Sequence, residues 1–139
     1  MTSPYELFGT DKNLEAQQGV ELDYGDFSIT VHRAGGGNHK FRTVFSQKMK
    51  PYQRRFDNGT LDDETAQQIL IEAYAEAVIK DWHGVTDAEG NKLDCTVENI
   101  VKLFTDLPDL FSDVQEQAQN VANFRQDNKE AASKNSKTS

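Results

Sequence analysis

The sequence predicts an α+β protein, with an N-terminal β-hairpin or small sheet followed by about four α-helices and a disordered C-terminal tail. Residues 20–31 alternate apolar and polar residues, whereas residues 38–125, apart from 82–96, repeat apolar residues at helical spacing. The 139 residues, 36% of them apolar, are enough for one hydrophobic core. Residues 1–126 are therefore predicted to form one α+β domain. Residues 127–139 are predicted to be a disordered polar tail, because they contain no large apolar side chain.

The hairpin is predicted from two short alternating runs. Residues 20–24 and 27–31 each place apolar side chains on one face, and Gly25 and Asp26 between them favour a turn. A two-stranded hairpin is barely stable alone. We therefore expect its apolar face to pack against a helix, another sheet or another subunit.

A glycine run and a helix follow the hairpin. The run Gly35 to Gly37 lacks the Gly-Lys-Ser/Thr of a phosphate loop, and it predicts a flexible connector. Asn38 is a good N-cap for the next helix, which Pro51 should end or kink. The apolar face of that helix would contain Phe41, Val44, Phe45 and Met49.

Three further helices are predicted downstream. Thr60 is the expected N-cap of a helix that runs to about Trp82, with Glu76 and Lys80 paired on its outer face. Thr96 is expected to cap the next helix. The last helix should begin at Pro108 and continue to about residue 125.

No group of residues in the sequence predicts catalysis. Residues 87–98 lack the glycine that a calcium loop needs at its sixth position, and they are interpreted as a turn between two extended arms. Asp81 and His83 would need a third metal ligand. Cys95 has no histidine nearby in the sequence to activate it. We therefore expect no catalytic residue, no metal and no cofactor, and we expect that the protein is not an enzyme.

The overall charge disfavours two classes of partner. The net charge is −8, from 15 basic and 23 acidic residues, so binding to nucleic acid or to an anionic membrane is not expected. The sequence has no apolar run long enough for a spanning helix and no signal-peptide pattern. Together with the single cysteine, this predicts a cytoplasmic protein.

The basic residues are concentrated in one segment. Residues 40–56 contain six basic and no acidic residues, whereas residues 57–126 contain 15 acidic and four basic residues. The basic segment could pair with the acidic helix that follows it, or dock an acidic partner. Nucleic-acid binding is a third interpretation, which the surrounding negative charge disfavours. The candidate partner-binding residues in this segment are Lys48, Lys50, Arg54 and Arg55.

The order of several segments resembles a known family. The segments EAYAEAVIKDW, GVTDAEGNKL, CTVENIVKLFTDLPDLF and QEQAQNVANFR follow one another, and RAGGGNHKFRTVFSQKMKPYQRR precedes them. Over residues 30–125 this order resembles the tail assembly chaperones of long-tailed, lambda-like bacteriophages. The resemblance implies a non-catalytic protein of the host bacterial cytoplasm that keeps the phage tape-measure protein soluble and helps recruit tail-tube subunits. The alternative is a structural tail or head–tail connector subunit retained in the virion.

A chaperone of this kind needs exposed apolar surface. One candidate is the hairpin face, and another is the stripe of the last helix, for which the candidate residues are Leu110, Phe111, Val114 and Val121. The alternative is ordinary core, which is the more frequent role of such surfaces. An unpaired hairpin edge would also allow a homo-oligomer.

Overall fold

The structure is a computed structural model that describes residues 3–124. It confirms an α+β fold, in which the four longer helices follow a hairpin, although the short helices near the N-terminus were not predicted. The predicted tail at residues 127–139 lies outside the described residues. In chain order the elements are α1 (Pro4–Phe8), α2 (Lys12–Ala16), β1 (Val20–Asp23), β2 (Ser28–Val31), α3 (His39–Met49), a 3₁₀ turn (Lys50–Tyr52), α4 (Gln53–Asp57), α5 (Asp63–Ala77), β3 (Ile79–His83), α6 (Val97–Asp106), α7 (Pro108–Gln119) and a second 3₁₀ turn (Val121–Phe124).

The predicted hairpin is confirmed and extended by a third strand. The strand order is β1-β2-β3, and both pairings are antiparallel. Val20 lies opposite Val31 and Leu22 lies opposite Ile29, so the apolar residues of both strands share one face. All four side chains are buried in the core. The hairpin therefore gains stability from the helices and from β3, as the marginal stability of an isolated hairpin requires.

The third strand was predicted as helix, and that prediction is wrong. Helix α5 ends at Ala77, and Ile79 to His83 pair with β2. A register irregularity leaves Lys80 as an extra residue in β3, between Ile79 opposite Val31 and Asp81 opposite Thr30. Because of this bulge, Ile79 and Trp82 are both buried although they lie three residues apart, a spacing that is typical of a helix.

The predicted ion pair between Glu76 and Lys80 is also absent from the described residues. The Lys80 ammonium group instead donates to the backbone carbonyl of Gln18, at 3.0 Å. Glu76 pairs with Lys48, which also lies 3.4 Å from Glu72. Because α5 ends at Ala77 and Lys80 lies in β3, Glu76 and Lys80 are not one helical turn apart, as an i,i+4 pair requires.

Three of the four predicted helix starts are confirmed. Asn38 and Thr96 are N-caps, and Pro108 is the first residue of α7. The fourth is wrong, because Asp62 caps α5 in place of Thr60. The Asp62 carboxylate accepts the backbone N–H three residues further on, at 3.1 Å.

The last helix is shorter than predicted. Helix α7 ends at Gln119, and Asn120 has extended backbone angles before the second 3₁₀ turn. The turn places Phe124 in the core, where its side chain is fully buried. Its carbonyl accepts the backbone N–H of Asp11 at 2.7 Å, so the end of the described chain is fixed to the start of α2.

Aromatic rings form the centre of the helical core. The ring of Tyr74, on α5, meets the rings of Phe41 and Phe111 edge to face, each at a centroid distance of 5.2 Å. Phe104, on α6, lies 5.1 Å from Phe111. Aromatic pairs at these distances stabilise a core beyond their buried area alone.

The glycine run does more than connect two elements. The side chain of Glu15 is fully buried and pairs with Arg33, and the backbone N–H of Gly37 donates to it at 3.0 Å. Gly36 has a φ of +52°, and a Cβ atom there would overlap the Glu15 carboxylate and the Arg33 side chain. The expectation of a merely flexible connector is therefore wrong, because these glycines close over an ion pair whose carboxylate is fully buried.

Asn38 joins three parts of the fold. It is 4% exposed, and its side-chain amide donates to the carbonyls of Arg33 at 2.9 Å and of Ala77 at 2.8 Å. Its side-chain oxygen accepts the N–H of Phe41 at 3.4 Å. Asn38 thereby links the end of the hairpin, the start of α3 and the end of α5.

Candidate protein-binding surfaces

The acidic and histidine residues that suggested a metal are not grouped as ligands. Among residues 3–124 no three of the His, Cys, Asp and Glu side chains are placed to hold a metal ion. Asp81 and His83 are 3.7 Å apart and exposed. The Asp87 carboxylate accepts the backbone N–H groups of Glu89, at 3.0 Å, and of Asn91, at 2.8 Å. Residues 87–91 therefore form a turn, as the sequence predicted.

Cys95 lies half-buried beside β3. Burial, and then the negative charge of Asp81, raise the pKa of the Cys95 thiol to about 11. The thiol is therefore protonated near neutral pH. A protonated thiol is a poor nucleophile.

No helix in the described part of the chain is both long enough and apolar enough to cross a membrane.

The predicted binding residues of the basic segment differ in whether they form ion pairs within the described part of the chain. Lys48 lies between the carboxylates of Glu72 and Glu76, and its hydrogen bond to Glu76 contributes most to the raised pKa of its ammonium group. For Lys48, the interpretation as internal pairing with α5 is therefore correct.

Three other predicted residues of this segment remain on the surface. Lys50, Arg54 and Arg55 are exposed and form no ion pair within residues 3–124. The Arg55 guanidinium lies above the ring of Tyr52, 5.1 Å from its centre. These three side chains are available to a partner.

Of the two interpretations of the stripe of the last helix, Phe111 and Val114 fit ordinary core. Phe111 and Val114 are fully buried, because α7 turns this face towards α5 and α6. Leu110 is half-buried against the same cluster. The side chain of Val121 is outside the described part of the structure.

The hairpin face is also core. Leu22 and Ile29 are buried among the helices. The hydroxyl of Tyr24, at the end of the hairpin, donates to the Asp113 carboxylate of α7 at 2.6 Å. On these two predicted faces, the side chains of Leu22, Ile29, Phe111 and Val114 are therefore closed to a partner in this fold.

A small projecting structure carries exposed apolar surface instead. We call residues 53–61, which contain α4 and the turn after it, the α4 knob. Phe56 is 57% exposed; Arg54 and Arg55 precede it in the chain and Asp57 follows it. The backbone N–H groups of Thr60 and Leu61 both donate to the Arg55 carbonyl, at 2.8 and 3.1 Å. Phe56 is thus presented by a turn with fixed backbone geometry.

A groove of about 650 Å³ lies between residues 86–93 and α6. We call it the α6 groove. Lys102, one of its lining residues, pairs with Asp106 at 2.7 Å. Sequence reasoning missed this groove, since it depends on how a turn packs against a helix that follows it. Its apolar lining includes Leu93, Leu103 and Leu107, and its acidic lining consists of Asp87, Glu89 and Asp106.

The structure thus defines a small acidic α+β protein that presents one basic aromatic knob and one acid-lined groove. Residues 36–135 match the YdaY prophage protein family, so the chain belongs to that family and is of phage origin. The match includes both the α4 knob and the α6 groove. Nothing among the curated proteins or the solved structures matches this chain.

Proposed function

We propose that this protein is a tail assembly chaperone, which binds the tape-measure protein in the host bacterial cytoplasm and helps recruit tail-tube subunits to it. It would act by binding and not by catalysis. The observation that carries the proposal is the order of segments over residues 30–125, which resembles that of tail assembly chaperones. The prophage family match over residues 36–135 covers nearly the same stretch and is consistent with a phage role.

The surface is compatible with binding a long amphipathic helix. Large apolar side chains are exposed at Tyr5 and Val97 on a chain of net charge −8. Exposed apolar side chains supply contacts to a helical partner. The net negative charge disfavours non-specific aggregation of many copies. This combination supports a protein that holds another chain soluble.

Co-expression tests the proposal directly. The tape-measure protein of the same prophage is expressed with this protein, and in parallel with the same gene interrupted by an early stop codon. We expect the tape-measure protein to move into the soluble fraction and to co-purify only when the full chain is made. Equal insolubility in both cultures would refute the chaperone role.

Composition of the virion provides a second, independent measurement. A chaperone leaves the particle, so mass spectrometry of purified virions should not detect this chain at the level of structural subunits. Its presence in stoichiometric amounts would overturn the proposal in favour of a structural tail or head–tail connector subunit.

A further inference from the structure

We infer that the α4 knob of one copy binds the α6 groove of a second copy, with Phe56 against the apolar lining and with Arg54 and Arg55 against the acidic lining. This inference goes beyond the proposed function and does not depend on it. It specifies a self-association site in which the two contacting surfaces are different.

Charge complementarity supports this pairing. The α6 groove is lined by three carboxylates and one lysine, and that lysine, Lys102, already pairs with Asp106. Asp87 and Glu89 form no ion pair in the described part of the chain. The knob carries two exposed arginines that form no ion pair in the described part of the chain, and its one carboxylate, Asp57, accepts the Gln53 side-chain amide at 2.8 Å. Guanidinium groups are well suited to bind carboxylates.

The apolar side chains of the α4 knob and the α6 groove are also complementary. Leu93, Leu103 and Leu107 line the groove, and Leu107 is 49% exposed. Phe56 is more than half exposed, and within residues 3–124 no other exposed aromatic side chain directly follows two arginines. A cavity of about 650 Å³ is within the range of sites that enclose a ligand of many atoms. It therefore has room for an aromatic ring together with the arms of its neighbours.

The contact must come from another molecule. No residue of the α4 knob lines the α6 groove of its own chain. The knob packs on the 3₁₀ turn that precedes it, and Phe56 remains exposed there. Each copy therefore offers one knob and one groove to its neighbours. Such a head-to-tail contact produces a ring or an open filament instead of a closed two-fold dimer.

Charge reversal on each side tests the site. One variant carries Arg54→Glu and Arg55→Glu, and the other carries Glu89→Lys and Asp106→Lys. Asp87 is left unchanged because its carboxylate shapes the turn. Self-association is measured by sedimentation at low salt, and thermal unfolding followed by circular dichroism establishes that each variant is folded.

We expect the wild-type protein to associate with increasing concentration, and each variant alone to associate at least roughly 100-fold more weakly, because like charges would then face each other. An equimolar mixture of the two variants should associate again, because the knob of each then faces a groove of opposite charge in the other. The change Phe56→Ala should weaken association without changing any charge.

A matched control separates local from global charge. The pair Lys40→Glu and Arg42→Glu makes the same change in net charge at exposed positions outside the knob, and it should leave association unchanged. A monomeric wild-type protein at its highest soluble concentration, a mixture that stays monomeric, or a Phe56→Ala variant that associates normally would each overturn the inference. None of these measurements includes the tape-measure protein, so they do not bear on the chaperone proposal.

Discussion

Replacing Asn38 by aspartate should destabilise the protein strongly, although both residues are good helix N-caps. The reason is the direction of the hydrogen bonds. The Asn38 amide donates to two backbone carbonyls, at 2.8 and 2.9 Å, at a site that is 4% exposed. A carboxylate has no proton to donate, so its charge would face those two carbonyl oxygens.

The magnitude follows from the groups left without partners. Asn38→Ala loses the long cap bond of 3.4 Å and leaves the buried Ala77 carbonyl without its donor, which we expect to cost about 2–4 kcal/mol. Asn38→Asp adds a poorly solvated charge, so the expected cost at pH 7 is about 3–5 kcal/mol. Asn38→Asp, which preserves a good N-cap residue, should therefore lose more unfolding free energy than Asn38→Ala.

Urea unfolding measures these free energies, with Asn58→Asp as the matched control. Asn58 is exposed and uses its side-chain oxygen as an acceptor towards Thr60, so aspartate should replace it within about 0.5 kcal/mol. Because the folded state disfavours the charge in the Asn38→Asp variant, the pKa of the introduced carboxyl should be raised. The destabilisation relative to wild type should then be full above that raised pKa and shrink as the pH falls towards about 4. A variant as stable as wild type at pH 7 would refute this reasoning.

Three other substitutions test further parts of the structure. Gly36→Ala should destabilise the protein by about 1–3 kcal/mol more than Gly25→Ala in urea unfolding, because both glycines have positive φ but only the first would place a Cβ against the buried Glu15 carboxylate; equal losses would contradict this. Phe111→Ala should cost about 3–5 kcal/mol of unfolding free energy, whereas a stable variant that loses only partner binding would contradict its core role. Modification of Cys95 by a disulfide reagent should be slow at pH 7 and still accelerate between pH 9 and 11, since its thiol pKa is about 11; a rate that levels off below pH 9 would contradict this.

Local signals in the sequence predicted much of the fold. The alternation around Leu22 and Ile29 predicted the hairpin, and Asn38, Thr96 and Pro108 marked three helix starts. Each of these features depends on residues close together in the chain. They are therefore visible in a single sequence.

Features that depend on distant residues were missed. Strand β3 was mistaken for helix because the apolar residues Ile79 and Trp82 lie three residues apart in the sequence, a helical spacing. The bulge in β3 allows both to be buried, and only pairing with β2 distinguishes the strand from a helix. The role of the glycine run was hidden because its reason, the Glu15 carboxylate, lies about twenty residues earlier in the chain.

The candidate sites show the same difference between features that depend on nearby residues and features that depend on distant ones. The basic segment was evident from composition, but only the structure separates Lys48, which pairs with α5, from Arg54 and Arg55, which do not. Burial of Phe111 could not be decided from a stripe that suits both a core and a partner. The α6 groove had no signal in the sequence, because it arises from packing.

The pairing of β3 with β2 determines how much of the N-terminal part of the chain a folded fragment must contain. The family match begins at residue 36, after both strands of the hairpin, yet β3 lies within the match and takes all its sheet hydrogen bonds from β2. A fragment cut at that boundary would expose Trp82 and Ile79 and leave a strand edge open to pairing with other chains. Expression of residues 36–135 alone should therefore yield aggregates. Any shortened version for biochemical work needs to retain the residues from Asp11 onward, because Glu15 is buried in its pair with Arg33 and the Asp11 N–H binds the Phe124 carbonyl.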